Sequence, residues 1–283
     1  MNQDSPGLVQ VAGVQTNPVL GDTARNLDHM IDRLRKAAAA GARLIAFPEC
    51  ALTGYIFSSR DEAARHAQPV PGPATESFAA ECRALGVAAV FGLIERNGDR
   101  LHNAAVLVRP DGTHAVYRKL HLPFVGVDRF LDPGDLPLDI HEAAGLRLGI
   151  HICYDGAFPE TGRVQTLKGA DLLVLITNWP RGAESQAEHL MPCRALENVV
   201  WGLVVDRVGE ERGAQFIGQS SIVDPQGRFL AKAGIDTEEI ITATIDPARA
   251  RDKKIVRKPG EHEINRINDR RPELYGTITE GTR

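Results

Sequence analysis

Two rhythms of apolar residues run along the chain. "LVQVAGVQ", residues 8–15, is an apolar run of strand length, and from Asp22 onward Leu27, Met30, Ile31 and Leu34 recur at helical spacing until Gly41 ends the pattern. "RLIAFPE", residues 43–49, reads as a second strand, and Thr75–Leu85 as a helix stopped by Gly86. "VAAVFGLIE", "LHNAAVLV" and "HAVYRK" follow as strands, separated by Asn97-Gly98 and Asp111-Gly112, dipeptides that suit tight hairpin turns. The first half is thus a βαβ unit followed by a meander.

The second half repeats the scheme. "LRLGIHI", a helix through Leu167, "DLLVLI", a helix from about Ser185 to Asn198, and "VVWGLVV" precede two strands around "DPQG". Mixing βαβ units with hairpins predicts an α/β fold: two mixed sheets packed face to face with helices outside, a four-layer α-β-β-α sandwich. No low-complexity linker divides the halves, so residues 1–256 read as a single domain. From Arg257 the sequence is charged and irregular, and 257–283 is expected to be an arm lying on the body or on a partner subunit.

Composition removes several classes of function. The chain has 283 residues, 43% hydrophobic and a quarter charged, enough to bury a large core. A net charge of -4 without long charged blocks offers no footprint for nucleic acid or an anionic membrane. "MNQDSPGLVQVAGVQ" lacks a basic segment followed by a sustained apolar run, and no stretch approaches the roughly 20 apolar residues of a bilayer span. A cytoplasmic protein is expected. The four cysteines, Cys50, Cys82, Cys153 and Cys193, have no CxxC spacing, which favours reduced thiols over a zinc site, a redox pair or a disulfide framework.

Three chemically able residues stand at the ends of predicted strands: Glu49 in "LIAFPEC", Lys119 in "VYRKLHLP" and Cys153 in "GIHICYDG". Each alone has a plain reading, as a turn carboxylate, an edge-guarding lysine and a packing thiol. Together they are the parts of nucleophilic acyl transfer. A thiol needs a base, a developing oxyanion needs positive charge or N–H donors, and a leaving amine needs a proton. His151 shares a strand face with Cys153, but same-face neighbours stand roughly 7 Å apart along a strand, which argues for a structural histidine.

With "FPECALTGY", "YRKLHLP", "CYDGAFPE", "CRALENVVWGLVVDRVG" and "GQSSIVDPQGRFLA" in this order, the chain resembles the nitrilase, or carbon-nitrogen hydrolase, superfamily over nearly its whole length. The resemblance implies Cys153 as nucleophile, Glu49 as base, Lys119 as the cation beside the tetrahedral intermediate, and the backbone N–H of Tyr154 as a second oxyanion donor. It implies hydrolysis of an amide through a thioester, without metal or organic cofactor. A binding-only member of the fold would ordinarily lack one of the three residues, and none is missing.

The lysine loop departs from the family pattern. Many relatives carry a further glutamate six residues before a Pro-Gly pair, where this chain has Val127, followed by Asp128. Asp128 has two readings, support of the site or a cap on the turn before Arg129, with the cap favoured. Tyr154 and Asp155 after the cysteine resemble the amidase side of the superfamily rather than the nitrile-cleaving side. Carbamoyl-amino-acid hydrolases often have arginines where this chain has Gly156 and Ala157. A small, aliphatic primary amide is therefore the expected substrate, with a carbamoyl compound or a nitrile as alternatives. Tyr55, Phe124, Tyr154, Asn178 and Trp179 are the expected pocket walls, and Arg181 a solvated loop cation. Relatives of this kind pair through helices that follow the nucleophile strand, so a dimer or multiple of dimers is expected.

Overall fold

A computed structural model describes residues 7–280. In chain order its elements are β1 (Val9–Gln15), α1 (Thr23–Ala39), β2 (Leu44–Ala46), α2 (Arg60–Ala64), α3 (Pro73–Leu85), β3 (Ala88–Asn97), β4 (Arg100–Val108) and β5 (His114–Arg118). The second half contributes β6 (Ile140–Ala143), β7 (Leu146–Ile152), α4 (Pro159–Leu167), β8 (Leu172–Ile176), α5 (Glu184–Asn198) and β9 (Trp201–Val205). Then come β10 (Glu210–Glu211), β11 (Ala214–Gln215), β12 (Ser221–Val223), β13 (Phe229–Lys232), β14 (Glu239–Ile245) and α6 (Ala248–Arg251). A hairpin of β15 (Ile255–Lys258) and β16 (His262–Ile264) follows.

Two six-stranded sheets form the body, ordered β14-β1-β2-β3-β4-β5 and β13-β12-β9-β8-β7-β6. The parallel strands lie at the centre of each, β1-β2-β3 and β7-β8-β9, and the flanking pairs are antiparallel. Their facing sides share one core, in which Val11, Leu44, Val90 and Leu107 of the first sheet meet Leu148, Ile150, Val174 and Leu203 of the second. Strands buried on both faces need near-continuous apolar runs, which is why β3, β8 and β9 have little alternation. On the outside, Met30 and Leu34 of α1 and Phe78 of α3 cover the first sheet, while Met191 and Ala195 of α5 cover the second. The predicted four-layer α-β-β-α sandwich is the observed one.

Capping sets the helix limits. The Asp22 side chain accepts the N–H of Arg25 at 3.2 Å to open α1, and α3 has Pro73 in its first turn and ends at Gly86 with φ +66°. Several elements went beyond the sequence reading, among them α2, β6 and two features of the last third of the chain. "EIITATI" forms β14, which runs antiparallel to β1 from Val9 opposite Ile245 to Gln15 opposite Glu239, so the chain's late segment completes the first sheet. The segment from Arg257, expected to be irregular, begins within the β15–β16 hairpin and continues as short 3-10 turns. Its Arg266 donates to the carbonyl of Leu196 at 2.9 Å, which holds it on the end of α5. Residues 281–283 of the expected arm, and residues 1–6 of the N-terminal segment, lie outside the described residues.

Candidate active site

Strand register brings the candidate residues together. Ile152, Ile176 and Val205 lie opposite one another across β7, β8 and β9, so Cys153, Thr177 and Asp206 leave the second sheet at one level. Glu49 follows β2 and Lys119 follows β5 in the first sheet, with the N–H of Lys119 bonded to the carbonyl of Asn103 in β4 at 2.8 Å. The site thus sits where loops of both sheets meet.

Glu49, Lys119 and Asp128 form one fully buried charged group. The Lys119 ammonium donates to Glu49 Oε1 at 2.7 Å and to Asp128 Oδ2 at 2.6 Å, and all three side chains have zero exposure. Asn103 Nδ2 bridges the same two carboxylates, at 2.7 Å to Glu49 Oε1 and 2.9 Å to Asp128 Oδ1. Tyr55 donates its hydroxyl to Asp128 Oδ2 at 2.8 Å. Glu49 Oε2 is buried with no partner among the described residues. Such oxygens are rare in folded proteins, and this one is an acceptor left free within a charged site.

The favoured reading of Asp128 as a turn cap is corrected by these contacts. Its carboxylate bonds Lys119, Asn103 and Tyr55, not its own turn. Tyr55, expected as a pocket wall, is bound into this charged group. Phe124 is 89% exposed, with the Arg129 guanidinium 6.0 Å from its ring centroid. Trp179 belongs to the apolar cluster between the second sheet and α5, with its backbone N–H donating to Asp206 Oδ1 at 3.0 Å. Tyr154 is exposed beside Cys153, its ring meeting Phe158 edge-on at 5.1 Å. Asn178 is buried, and both polar atoms of its amide lack partners among the described residues. Gly156 packs tightly: a Cβ there would stand 3.0 Å from the Leu190 side chain and 3.1 Å from that of Leu175, so packing already favours a small residue. Arg181 is exposed.

Electrostatics separate the proton donors from the acceptors. Burial, and next the charge of Glu49, push the Cys153 thiol well above its ordinary range, against the pull of Lys119. Burial also raises Glu49, helped by Asp128 and opposed by Lys119 and Asn103. Burial works to lower Lys119, but the charges of Glu49 and Asp128 outweigh it and keep the ammonium well above its usual range. His151 pairs with Gln165 of α4 at 3.3 Å, and burial pushes its imidazole down to about 4, so it is a neutral packing group.

Backbone strain marks the turns that carry Cys153 and Glu49. Cys153 has φ +46° at the start of a 3-10 turn, and Cys50, directly after Glu49, has φ +48°; a side chain in this region costs on the order of 1–3 kcal/mol. Gly92 of β3 makes the second turn possible. A Cβ there would lie 2.3 Å from the Cys50 nitrogen and 2.7 Å from the Glu49 Cα.

The sequence reading missed Asn103, whose only signal was an amide inside the apolar run "LHNAAVLV". It also missed a buried support. Arg207 pairs with Glu211 at 2.6 Å, and Glu211 Oε2 accepts the N–H groups of Tyr55 at 2.8 Å and Ile56 at 2.5 Å.

Comparisons with known proteins identify the family. The carbon-nitrogen hydrolase family profile matches residues 10–255. A protein named nitrilase from Pyrococcus abyssi is 39% identical over 270 residues, covering 95% of this chain and 99% of its own. An (R)-stereoselective amidase from a Pseudomonas species is 33% identical over 279 residues, covering 96% and 93%. Among solved structures, an amidase from a Nesterenkonia species superposes with a TM-score of 0.79 at 24% identity, covering 95% of this chain and 96% of that one, a likeness of fold. Profile, relatives and fold converge over nearly the same residues, and the chain belongs to the carbon-nitrogen hydrolase family of the nitrilase superfamily.

Proposed function

We propose that the protein is a thiol-dependent amidase that hydrolyses a small, aliphatic primary amide to a carboxylic acid and ammonia. The observation that carries this reading is the free Glu49 Oε2 beside a thiol whose proton is held by burial, with Lys119 fixed between two carboxylates. Glu49 takes the Cys153 proton as sulfur attacks the carbonyl carbon. The oxygen gains negative charge opposite the Lys119 ammonium and the Tyr154 backbone N–H. As the C–N bond breaks, the proton on Glu49 passes to the departing nitrogen, leaving a thioester on Cys153. Glu49 then takes a proton from water, hydroxide adds to the thioester, and the thiolate leaves and is reprotonated. Asp128 and Asn103 hold Lys119 and Glu49 in place, and the unpaired Asn178 amide offers polar contacts to the substrate.

A second reading, nitrile hydrolysis, is favoured by the name of the Pyrococcus relative. Ammonia release from matched amides, carbamoyl compounds and nitriles separates the readings, and the amides are expected to turn over fastest. Cys153→Ala is expected to abolish turnover with the fold intact, and Glu49→Gln and Lys119→Met to lower the rate by roughly a hundredfold or more. Turnover by Cys153→Ala near the wild-type rate rejects the proposal.

A further inference from the structure

Lys119 and Cys153 stand on different sheets, so neither hydrogen-bond ladder sets the distance between them. A carboxylate outside the acid–lysine group spans the gap. Asp155 has zero exposure and lies two residues after Cys153. Its Oδ2 accepts the Tyr117 hydroxyl at 2.7 Å and the Ile152 N–H at 3.2 Å. Its Oδ1 accepts the His121 N–H at 3.0 Å and meets His121 Nδ1 at 2.8 Å.

The placement of these partners gives the arrangement its meaning. Tyr117 and His121 lie two residues before and after Lys119, while Ile152 and Asp155 lie on either side of Cys153. One carboxylate therefore ties both flanks of the lysine to both flanks of the nucleophile. His121 adds a second tie, stacking on Phe158 at 3.7 Å between ring centroids, just beyond the nucleophile turn.

We infer that Asp155 is a positioning residue that fixes the Lys119 ammonium relative to the Cys153 sulfur. The inference rests on the roles proposed above for those two residues. A buried carboxylate with several donors is held more firmly than any single bond would hold it, because each donor would be left unpaired if it moved. Rate is sensitive to such placement, since a displacement near 1 Å at the reacting atoms costs roughly a hundredfold. Loss of Asp155 should let the lysine loop drift from the second sheet without touching the substrate's binding contacts.

The test compares Asp155→Asn and Tyr117→Phe with the parent enzyme, all in a Cys193→Ser background that removes the exposed competing thiol. Asp155→Asn is expected to lower kcat at least tenfold on one amide while KM stays within twofold, and Tyr117→Phe to lower kcat by a smaller factor. Because the Lys119 charge lowers the pH at which Cys153 ionises, the pH profile of Cys153 alkylation by iodoacetamide should move upward in both variants. In Asp155→Asn the lost negative charge by itself would move the profile downward, and in Tyr117→Phe a purely structural role would leave it in place, so an upward move in both reports displacement of the lysine. Near-ultraviolet circular dichroism identifies the folded variants, and Tyr117→Phe, which removes one hydroxyl, carries the test if Asp155→Asn does not fold. Folded variants with unchanged kcat and an unmoved alkylation profile overturn the inference. Undiminished turnover in Lys119→Met or Cys153→Ala would instead overturn the underlying assignment.

Discussion

Asp128 lies one residue after the position where many family members carry a glutamate, and its shorter carboxylate still reaches Lys119 at 2.6 Å. Its neighbour explains the shift. Val127 is fully buried with Tyr55, Phe57 and Leu131, so an acid there would lose an apolar site and bury a charge. The negative charge of Asp128 helps to raise Glu49, so at low pH Glu49 takes up a proton above the ordinary glutamate range. With Glu49 in the proposed role of base, the rate is expected to fall on the acid side as it is neutralised. Asp128→Asn removes the charge and keeps the shape, so the acid limb of kcat/KM should move to lower pH, with a rate loss of about tenfold or more. A pH–rate profile for both enzymes checks it, and an unmoved limb with full activity would return Asp128 to a passive role. The acid in this loop was legible in the sequence, but its direction was not, because an aspartate before a turn residue is usually a cap.

At the scale of elements, legibility followed burial. The strands with continuous apolar runs, β3, β8 and β9, and the amphipathic α1 were readable because their patterns record which faces are covered. β14 was not, since "EIITATI" is only partly buried and takes its strand form from pairing with β1, a partner more than two hundred residues earlier. Glu49, Lys119 and Cys153 stood out as candidates because each follows a predicted strand. Asn103, Glu211 and Asp155 act through contacts distant in sequence, and no local pattern announces those. Gly92 is of the same kind. It looks like a flaw in a strand, yet it lets the Glu49 turn lie against β3, with the Gly92 N–H on the Pro48 carbonyl at 3.1 Å. Gly92→Ala should push that turn away, lowering kcat by roughly tenfold or more and destabilising the fold by about 1–3 kcal/mol. Steady-state kinetics with urea unfolding measure both, and an unchanged kcat would separate Gly92 from the site.

The whole molecule joins two kinds of pH response. Burial holds His151 down to about 4, whereas an unfolded chain takes up that proton near 6.5. The unfolded state therefore binds more protons between these values, and this contribution to stability is full above pH 6.5 and lost as pH falls towards 4. It amounts to about 3 kcal/mol at most. His151→Gln should flatten the fall of Tm across that window, as measured by thermal scans at several pH values. A fall as steep as that of the parent protein would assign the acid sensitivity to other groups.

Assembly is the remaining property of the whole chain, and the same outer face that carries α4 and α5 bears on it. Val164 and Leu167 of α4 and Tyr275 and Ile278 of the C-terminal segment line a groove of about 680 Å³, with Glu197 of α5 and Arg266 also at its wall. Leu167 is 45% exposed, Leu196 41%, Leu274 68% and Ile278 61%, a concentration of apolar side chains near the groove. These are the helices through which relatives are expected to pair, and a stable pair needs roughly 800 Å² of surface from each partner. Light scattering at micromolar concentration should give at least twice the chain mass of 30.8 kDa. Placing like charges across that face with Leu167→Glu and Leu196→Glu should produce monomers, because a desolvated, unpaired carboxylate opposes association more strongly than the lost leucine contact alone. Active monomers from the double variant would confine the interface to assembly, whereas inactive but folded monomers would mean that pairing braces the Cys153 turn through α4, which begins at Pro159. A parent protein that scatters as a monomer would remove this face as an interface.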